Sequence, residues 1–154
     1  MTGSRRAKTS PRCAAHPAVI TGAGGDLGRE VAVRLSAGGV PVALVDHHQD
    51  RLAATMRACQ HAGEAVTAWP VDVTAPDQVS ELAETVRAQV GSAHALYNLA
   101  GVIHAGLLTD SQLSDLERVI RVDLLATIAC SQAFLPQLVA SGMDSWSTSP
   151  APSA

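Results

Sequence analysis

The run Thr21-Gly22-Ala23-Gly24-Gly25-Asp26-Leu27-Gly28 follows the apolar stretch Ala18-Val19-Ile20 and precedes Arg29-Glu30, so an apolar strand breaks into glycines and then opens a helix. Glycines let the backbone turn sharply and approach a ligand closely, while the unpaired N–H groups and positive dipole end of a helix attract an anion. Such a turn suits a dinucleotide pyrophosphate, with Gly22, Gly25, Asp26, Leu27 and Gly28 around it. The next apolar run, Pro41-Val42-Ala43-Leu44-Val45, ends in Asp46. That lies close to the spacing of about 20 residues at which a carboxylate meets the ribose hydroxyls of NAD. The alternative for Asp46 is a solvated cap at a strand end.

Groups that could move a proton are scarce. The only lysine is Lys8 and the only tyrosine is Tyr97, so these residues cannot form a Tyr-x-x-x-Lys pair downstream of the glycines. His47-His48 follows Asp46 in a turn, where adjacent side chains need not converge on one ion, and no metal is expected. His61, His94 and His104 are scattered and read as solvated or packing residues. Cys13, Cys59 and Cys130 are odd in number, widely spaced and without a C-x-x-C pair, which suggests neither a disulfide framework nor a zinc site.

The elements that would position these residues alternate. Leu27, Val31 and Leu35 recur at four-residue spacing with Arg29, Glu30 and Arg34 on the other face, predicting an amphipathic helix that Gly38-Gly39 ends. A second helix is expected from about Asp50, with Leu52, Met56 and Cys59 inward and Gly63 as its stop. The third strand spans Ala65 to Val71, and Pro70 within it favours an edge position or the strand's end. Thr74-Ala75-Pro76-Asp77 reads as a helix start with a hydroxyl cap, followed by an inner face of Val79, Leu82, Val86 and Val90 and a stop at Gly91. Ala93 to Asn98 makes a fourth strand. Ser114 with Glu117 then resembles a capping box opening a long helix through Leu138, which Pro136 kinks or ends.

Strand–helix alternation with short turns implies right-handed crossovers and a parallel sheet. The expected fold is α/β, a partial Rossmann-like, doubly wound sheet of about four strands in the order 3-2-1-4, which puts the proline-bearing third strand at an edge.

At 154 residues and 47% hydrophobic content, the chain is long enough for one domain with a real core. That domain is expected over residues 17–140, between a disordered basic tail (1–16) and an unstructured Ser/Pro/Ala tail (141–154). Arg5, Arg6, Lys8 and Arg12 all lie in the first tail, and without them the formal charge falls from −3 to −7. So acidic a body argues against nucleic acid as a partner. No stretch approaches the roughly 20 apolar residues that span a bilayer, and no apolar signal core follows the arginines, so a cytoplasmic protein without a membrane partner is expected.

From about Ala18 to Leu138 the chain resembles the first half of a short-chain dehydrogenase/reductase. The family's T-G-x-x-x-G-x-G turn is similar to Thr21 to Gly28, with Asp26 where a middle glycine is usual. Its adenine-contacting aspartate and following apolar residue match Asp72-Val73. Its N-N-A-G after strand four matches Asn98-Leu99-Ala100-Gly101, and its V-N-L matches Val122-Asp123-Leu124. The resemblance implies cofactor contacts at Asp72, Val73, Asn98, Ala100 and Gly101. At Asp123 the family uses an asparagine to position a water near its catalytic lysine; aspartate keeps the acceptor, loses the amide donor and adds a charge. No residue is assigned as catalytic.

NAD is expected over NADP, because Asp46 would repel the ribose phosphate and Gly25 supplies no cation. The resemblance implies hydride transfer between nicotinamide and an alcohol or carbonyl in the full family fold, with this chain inactive by itself. A non-catalytic NAD- or adenylate-binding or interaction module, and an unstable gene fragment, are the alternatives. Strand four would keep an open edge, and the 116–138 helix an apolar face, so a homo-oligomer is expected.

Overall fold

A computed structural model of the chain describes residues 17–60 and 65–141. Four short apolar runs pair as parallel strands, β1 (Ala18–Thr21), β2 (Val42–Val45), β3 (Val66–Trp69) and β4 (Ala95–Asn98), in the order β3-β2-β1-β4. This is the expected doubly wound order. Pro70 falls just past the last residue of the edge strand β3, where its missing N–H interrupts no ladder.

Side chains alternate across the strands and feed two cores. Ile20, Val42 and Leu44 pack with Ala32, Leu52 and Cys59 from α1 (Asp26–Ala37) and α2 (Gln49–Gln60). On the other face Val19, Ala43 and Val45 pack with Val79, Leu82 and Val86 of α3 (Pro76–Gln89) and with Cys130 and Phe134 of α5 (Ala126–Ala140). Tyr97 packs against the first of these clusters.

Several local expectations are corrected. The buried face of α1 is Gly28, Ala32 and Ser36, and Leu27 is 64% exposed. Small residues win there because they let the helix lie close to the sheet, and Ser36 Oγ donates to the Cys59 carbonyl from the same face. In α2, Leu52 and Cys59 are buried as expected, but Thr55 holds the central buried position in place of Met56. Its hydroxyl donates to the Ala23 carbonyl at 2.8 Å and ties α2 to the glycine turn. Pro76 opens α3, yet the cap residue is Ala75, because the Thr74 hydroxyl turns back to Asp72 Oδ1.

The Ser114–Glu117 capping box does not form. Gln112 caps α4 (Leu113–Val119) and makes no side-chain cap bond, so Ser114 and Glu117 lie within the helix. Six π-helical residues, Ile120–Leu125, join α4 to α5. Pro136 lies inside α5 without ending it, since Cys130, Phe134 and Gln137 are buried on both sides of the lost hydrogen bond and hold the helix in place. Ser141, grouped with the tail on sequence grounds, donates its N–H to the Gln137 carbonyl and closes α5. Residues 1–16 and 142–154, and the predicted stop Gly63, lie outside the described residues.

The continuous helix Leu113–Ala140 runs for 28 residues and is long and apolar enough, by length and composition alone, to cross a membrane, contrary to the sequence expectation. Its inner face nevertheless packs on the sheet through Ala126, Cys130 and Phe134. Gln137 ties it to two neighbours. The Gln137 amide donates to the Ala83 carbonyl at 2.8 Å, and its carbonyl accepts the Ala93 N–H at 3.0 Å.

Substituting Gln137→Leu keeps the bulk and helix propensity but removes both bonds and orphans the buried Ala93 N–H, whereas the Ala83 carbonyl keeps its place in the α3 ladder. Urea unfolding is expected to show a loss of about 2–4 kcal/mol. Gln89→Leu, the same change at an exposed site of α3, should stay within about 0.5 kcal/mol. Equal midpoints for the two variants would show that Gln137 does not anchor the helix.

Candidate functional site

The strand register brings Thr21 level with Val45 and Asn98, and Val45 level with Trp69. Gly22, Asp46, Pro70 and Leu99 therefore begin four loops along one edge of the sheet, at the carboxyl ends of parallel strands. Between β1 and β4 the winding reverses, and a crevice opens there in sheets of this kind.

The walls of that crevice touch. Gly22 has φ +66°, and a Cβ on it would stand 2.6 Å from the Ala100 nitrogen and the Leu99 carbonyl. A Cβ on Gly28 would stand 2.2 Å from the Gly22 oxygen. Thr21 joins the two loops from beneath: its buried Oγ1 accepts the N–H groups of Leu99 at 3.1 Å and Ala100 at 3.3 Å.

The first intrahelical bond of α1 runs from the Arg29 N–H to the Gly25 oxygen, and the cap makes no side-chain bond. Helix geometry thus leaves the N–H groups of Asp26, Leu27 and Gly28 without intrahelical acceptors at the turn. Glycines packed this closely bring the turn's backbone and the N–H groups of the helix N-terminus together, which fits a dinucleotide pyrophosphate.

A cleft of about 450 Å³ adjoins this turn and is lined by Gly22, Gly25, Asp46, Asp72, Val73, Ala100 and Gly101, seven of the residues expected to bind cofactor. The remaining candidates lie outside that lining. Gly28 is buried behind Gly22, Asp26 and Leu27 are exposed on the first turn of α1, and Asn98 donates to Ser131 Oγ on α5. Asp123, in the π-helical segment, accepts the Val102 N–H at 2.9 Å. It uses the acceptor that aspartate shares with asparagine to hold the loop after β4.

Asp46 is only 9% exposed, and both of its oxygens accept backbone bonds at 2.9 Å, Oδ2 from Gly24 and Oδ1 from His48. A Cβ on Gly24 would stand 3.0 Å from this carboxylate and 2.9 Å from Arg51 Cβ, so Gly24 is constrained too, less tightly than Gly22 and Gly28. Asp72 accepts the N–H and the hydroxyl of Thr74, at 2.9 and 2.8 Å. The Thr74 N–H chiefly holds the Asp72 carboxyl below its ordinary range, against some desolvation; the Thr74 hydroxyl and nearby His47 add to the lowering. Burial raises both described cysteines, Cys130 to about 11, so neither is poised as a thiolate.

Sequence reasoning missed Thr21, Gly24, Thr55 and Arg51 as site residues. The first two stand inside the glycine motif and were visible there. Thr55 and Arg51 carry no local signal, because α2 brings them back to the turn only in three dimensions. Adjacency also gave no reason to expect Asp46, His47 and His48 to converge, yet their ligand atoms lie within 4.8 Å of one another.

The family model described as short chain dehydrogenase matches residues 16–144. The oxidoreductase SadH of Mycobacterium tuberculosis is 40% identical over 125 residues, 81% of this chain and 45% of SadH. A short chain dehydrogenase/reductase from Burkholderia phymatum, solved with NAD, superposes with a TM-score of 0.77 at 32% identity, covering 81% of this chain and 44% of that one. A metagenomic short-chain oxidoreductase solved with NADP gives 0.78 at 28% identity, covering 84% and 59%. The chain spans about half the length of the curated relatives it matches. It belongs to the short-chain dehydrogenase family.

Proposed function

We propose that this chain is the NAD-binding portion of a short-chain NAD-dependent oxidoreductase, and that it does not transfer hydride by itself. The observation that carries the reading is the closely packed glycine turn at Gly22 and Gly28, which sets the α1 N-terminus beside a cleft that the Asp46 carboxylate also lines. When bound, the dinucleotide supplies a nicotinamide that accepts or donates hydride. This chain's residues bind and orient it: the first-turn N–H groups take the pyrophosphate, Asp46 the adenosine ribose, and Asp72 with Val73 the adenine end. The absence of a Tyr-x-x-x-Lys pair supports inactivity. Asp123, which has the acceptor but lacks the amide donor of the family's asparagine, also favours a second reading, a non-catalytic NAD or adenylate module.

NAD over NADP rests on charge. A phosphate on the adenosine ribose would approach the Asp46 carboxylate, although Arg51 lines the same cleft and tempers the repulsion. Calorimetry is expected to find ADP-ribose and NAD binding about equally, because the adenosine half carries most contacts, and NADP about tenfold more weakly, some 1.4 kcal/mol. Asp46→Asn should narrow that gap. NAD binding tenfold tighter than ADP-ribose would mean a complete nicotinamide pocket.

With a panel of alcohols and ketones, absorbance at the NADH band is expected to stay flat, since acid–base catalysis is worth about 10²–10⁴-fold and its usual residues are missing. Reproducible turnover lost on Gly22→Val would overturn the inactivity.

A second copy of the chain is the partner we propose for the outer helix face, where Leu124, Ile128, Leu135 and Val139 are exposed beside the outer edge of β4. Light scattering should report a dimer or larger species. A monodisperse monomer with a sharp unfolding transition would show a self-contained module.

A further inference from the structure

We propose that Asp46, His47 and His48 bind a borderline divalent cation such as Zn²⁺, and that this ion and the adenosine ribose of the dinucleotide exclude one another. The second half of the proposal rests on the nucleotide reading above. The first half stands on geometry alone.

His48 Nδ1 lies 3.3 Å and His47 Nδ1 3.6 Å from the same oxygen, Asp46 Oδ1. Two ligand atoms on a tetrahedral zinc, each bonded at about 2.0–2.2 Å, stand about 3.4 Å apart. Two of the three ligand separations are thus already those of a tetrahedral site, and the third lies within 4.8 Å. The imidazoles are about half exposed, so an ion can reach them from solvent, and their rings already sit 3.7 Å apart.

The carboxylate needs no rearrangement. Asp46 is fixed by the Gly24 and His48 N–H groups, and the Oδ1 lone pair that meets the His48 ring nitrogen at 3.3 Å is the one that a metal between them would take. Two imidazoles and one carboxylate suit zinc, nickel or copper over magnesium or calcium, which prefer all-oxygen shells. Three protein ligands leave the fourth position to water, the arrangement of an exchangeable site. Asp72 is close enough to His47 to feel its charge and offsets the Arg51 cation that lines the same cleft. An ion on Asp46 occupies the group that would otherwise receive the ribose hydroxyls.

The test uses the full chain without an affinity tag, titrated with ZnCl₂ in a non-chelating buffer. One ion per chain is expected to bind, and Co²⁺ to give the visible absorption of a four-coordinate site. The double variant His47→Ala/His48→Ala, with its fold checked by circular dichroism, should lose at least about tenfold in Zn²⁺ affinity. Zinc should weaken ADP-ribose binding about tenfold in the parent and less than about twofold in the double variant, each compared with its own zinc-free value.

If the imidazoles merely pair with the carboxylate, Zn²⁺ uptake will be absent or unaltered by the double substitution, and the site is overturned; unchanged ADP-ribose binding then leaves the nucleotide reading standing. Zinc uptake that depends on the two histidines, in a protein that binds no ADP-ribose, keeps the metal site and overturns the nucleotide reading. Simultaneous binding of both ligands overturns the mutual exclusion.

Discussion

Between the Gly22 carbonyl and the first turn of α1 there is no room for one more carbon atom: a Cβ on Gly28 would meet that oxygen at 2.2 Å, and one on Gly22 would meet the β4 loop at 2.6 Å. This double contact sets where α1 begins, how closely it lies on the sheet, and how far apart the β1 and β4 loops stand. The small buried face of Gly28, Ala32 and Ser36 continues the same close approach along the helix. With the helix held so near, its unpaired N–H groups are aimed at the crevice where the winding reverses.

Loops at this edge have no ladder to hold them, and polar side chains do the holding. Asp46 fixes the glycine turn through Gly24, Asp72 fixes the start of the β3–α3 loop through Thr74, and Asp123 fixes the β4 loop through Val102. Three carboxylates in an acidic chain are thus tied to backbone N–H groups, where an ionised acceptor makes a stronger bond than a neutral one. Thr21 and Thr55 perform the same task with hydroxyls. The cleft is consequently shaped before any ligand arrives.

The helix Leu113–Ala140 shows how one element meets different surroundings. Its inner side packs against β4 and α3 and is anchored by the two hydrogen bonds of Gln137. The π-helical segment Ile120–Leu125 carries Asp123 to the loop after β4. The outer side remains apolar and exposed, next to a strand whose far edge no described strand pairs. In relatives about twice as long, there is further chain that this one does not match.

Much of the architecture was legible in one dimension. Glycine spacing located the turn, apolar periodicity located the strands and helices, and Pro70 marked an edge, because each of these is a local steric or hydrogen-bonding rule. Local rules misled where packing competed with them. Thr74 bonds Asp72 instead of capping α3, Ser114 and Glu117 form no box, and Pro136 does not stop α5. Leu27 points to solvent because only small residues fit the close face of α1.

Tertiary structure alone decided the rest. The Thr21 hydroxyl meets amides 78 and 79 positions away, Gln137 reaches Ala83 and Ala93, and α2 returns Arg51 and Thr55 to the turn. Side-chain type and spacing determine which elements form and which face each buries. The distances between atoms on different elements depend on strand register and helix approach, and those are fixed only when the whole sheet packs.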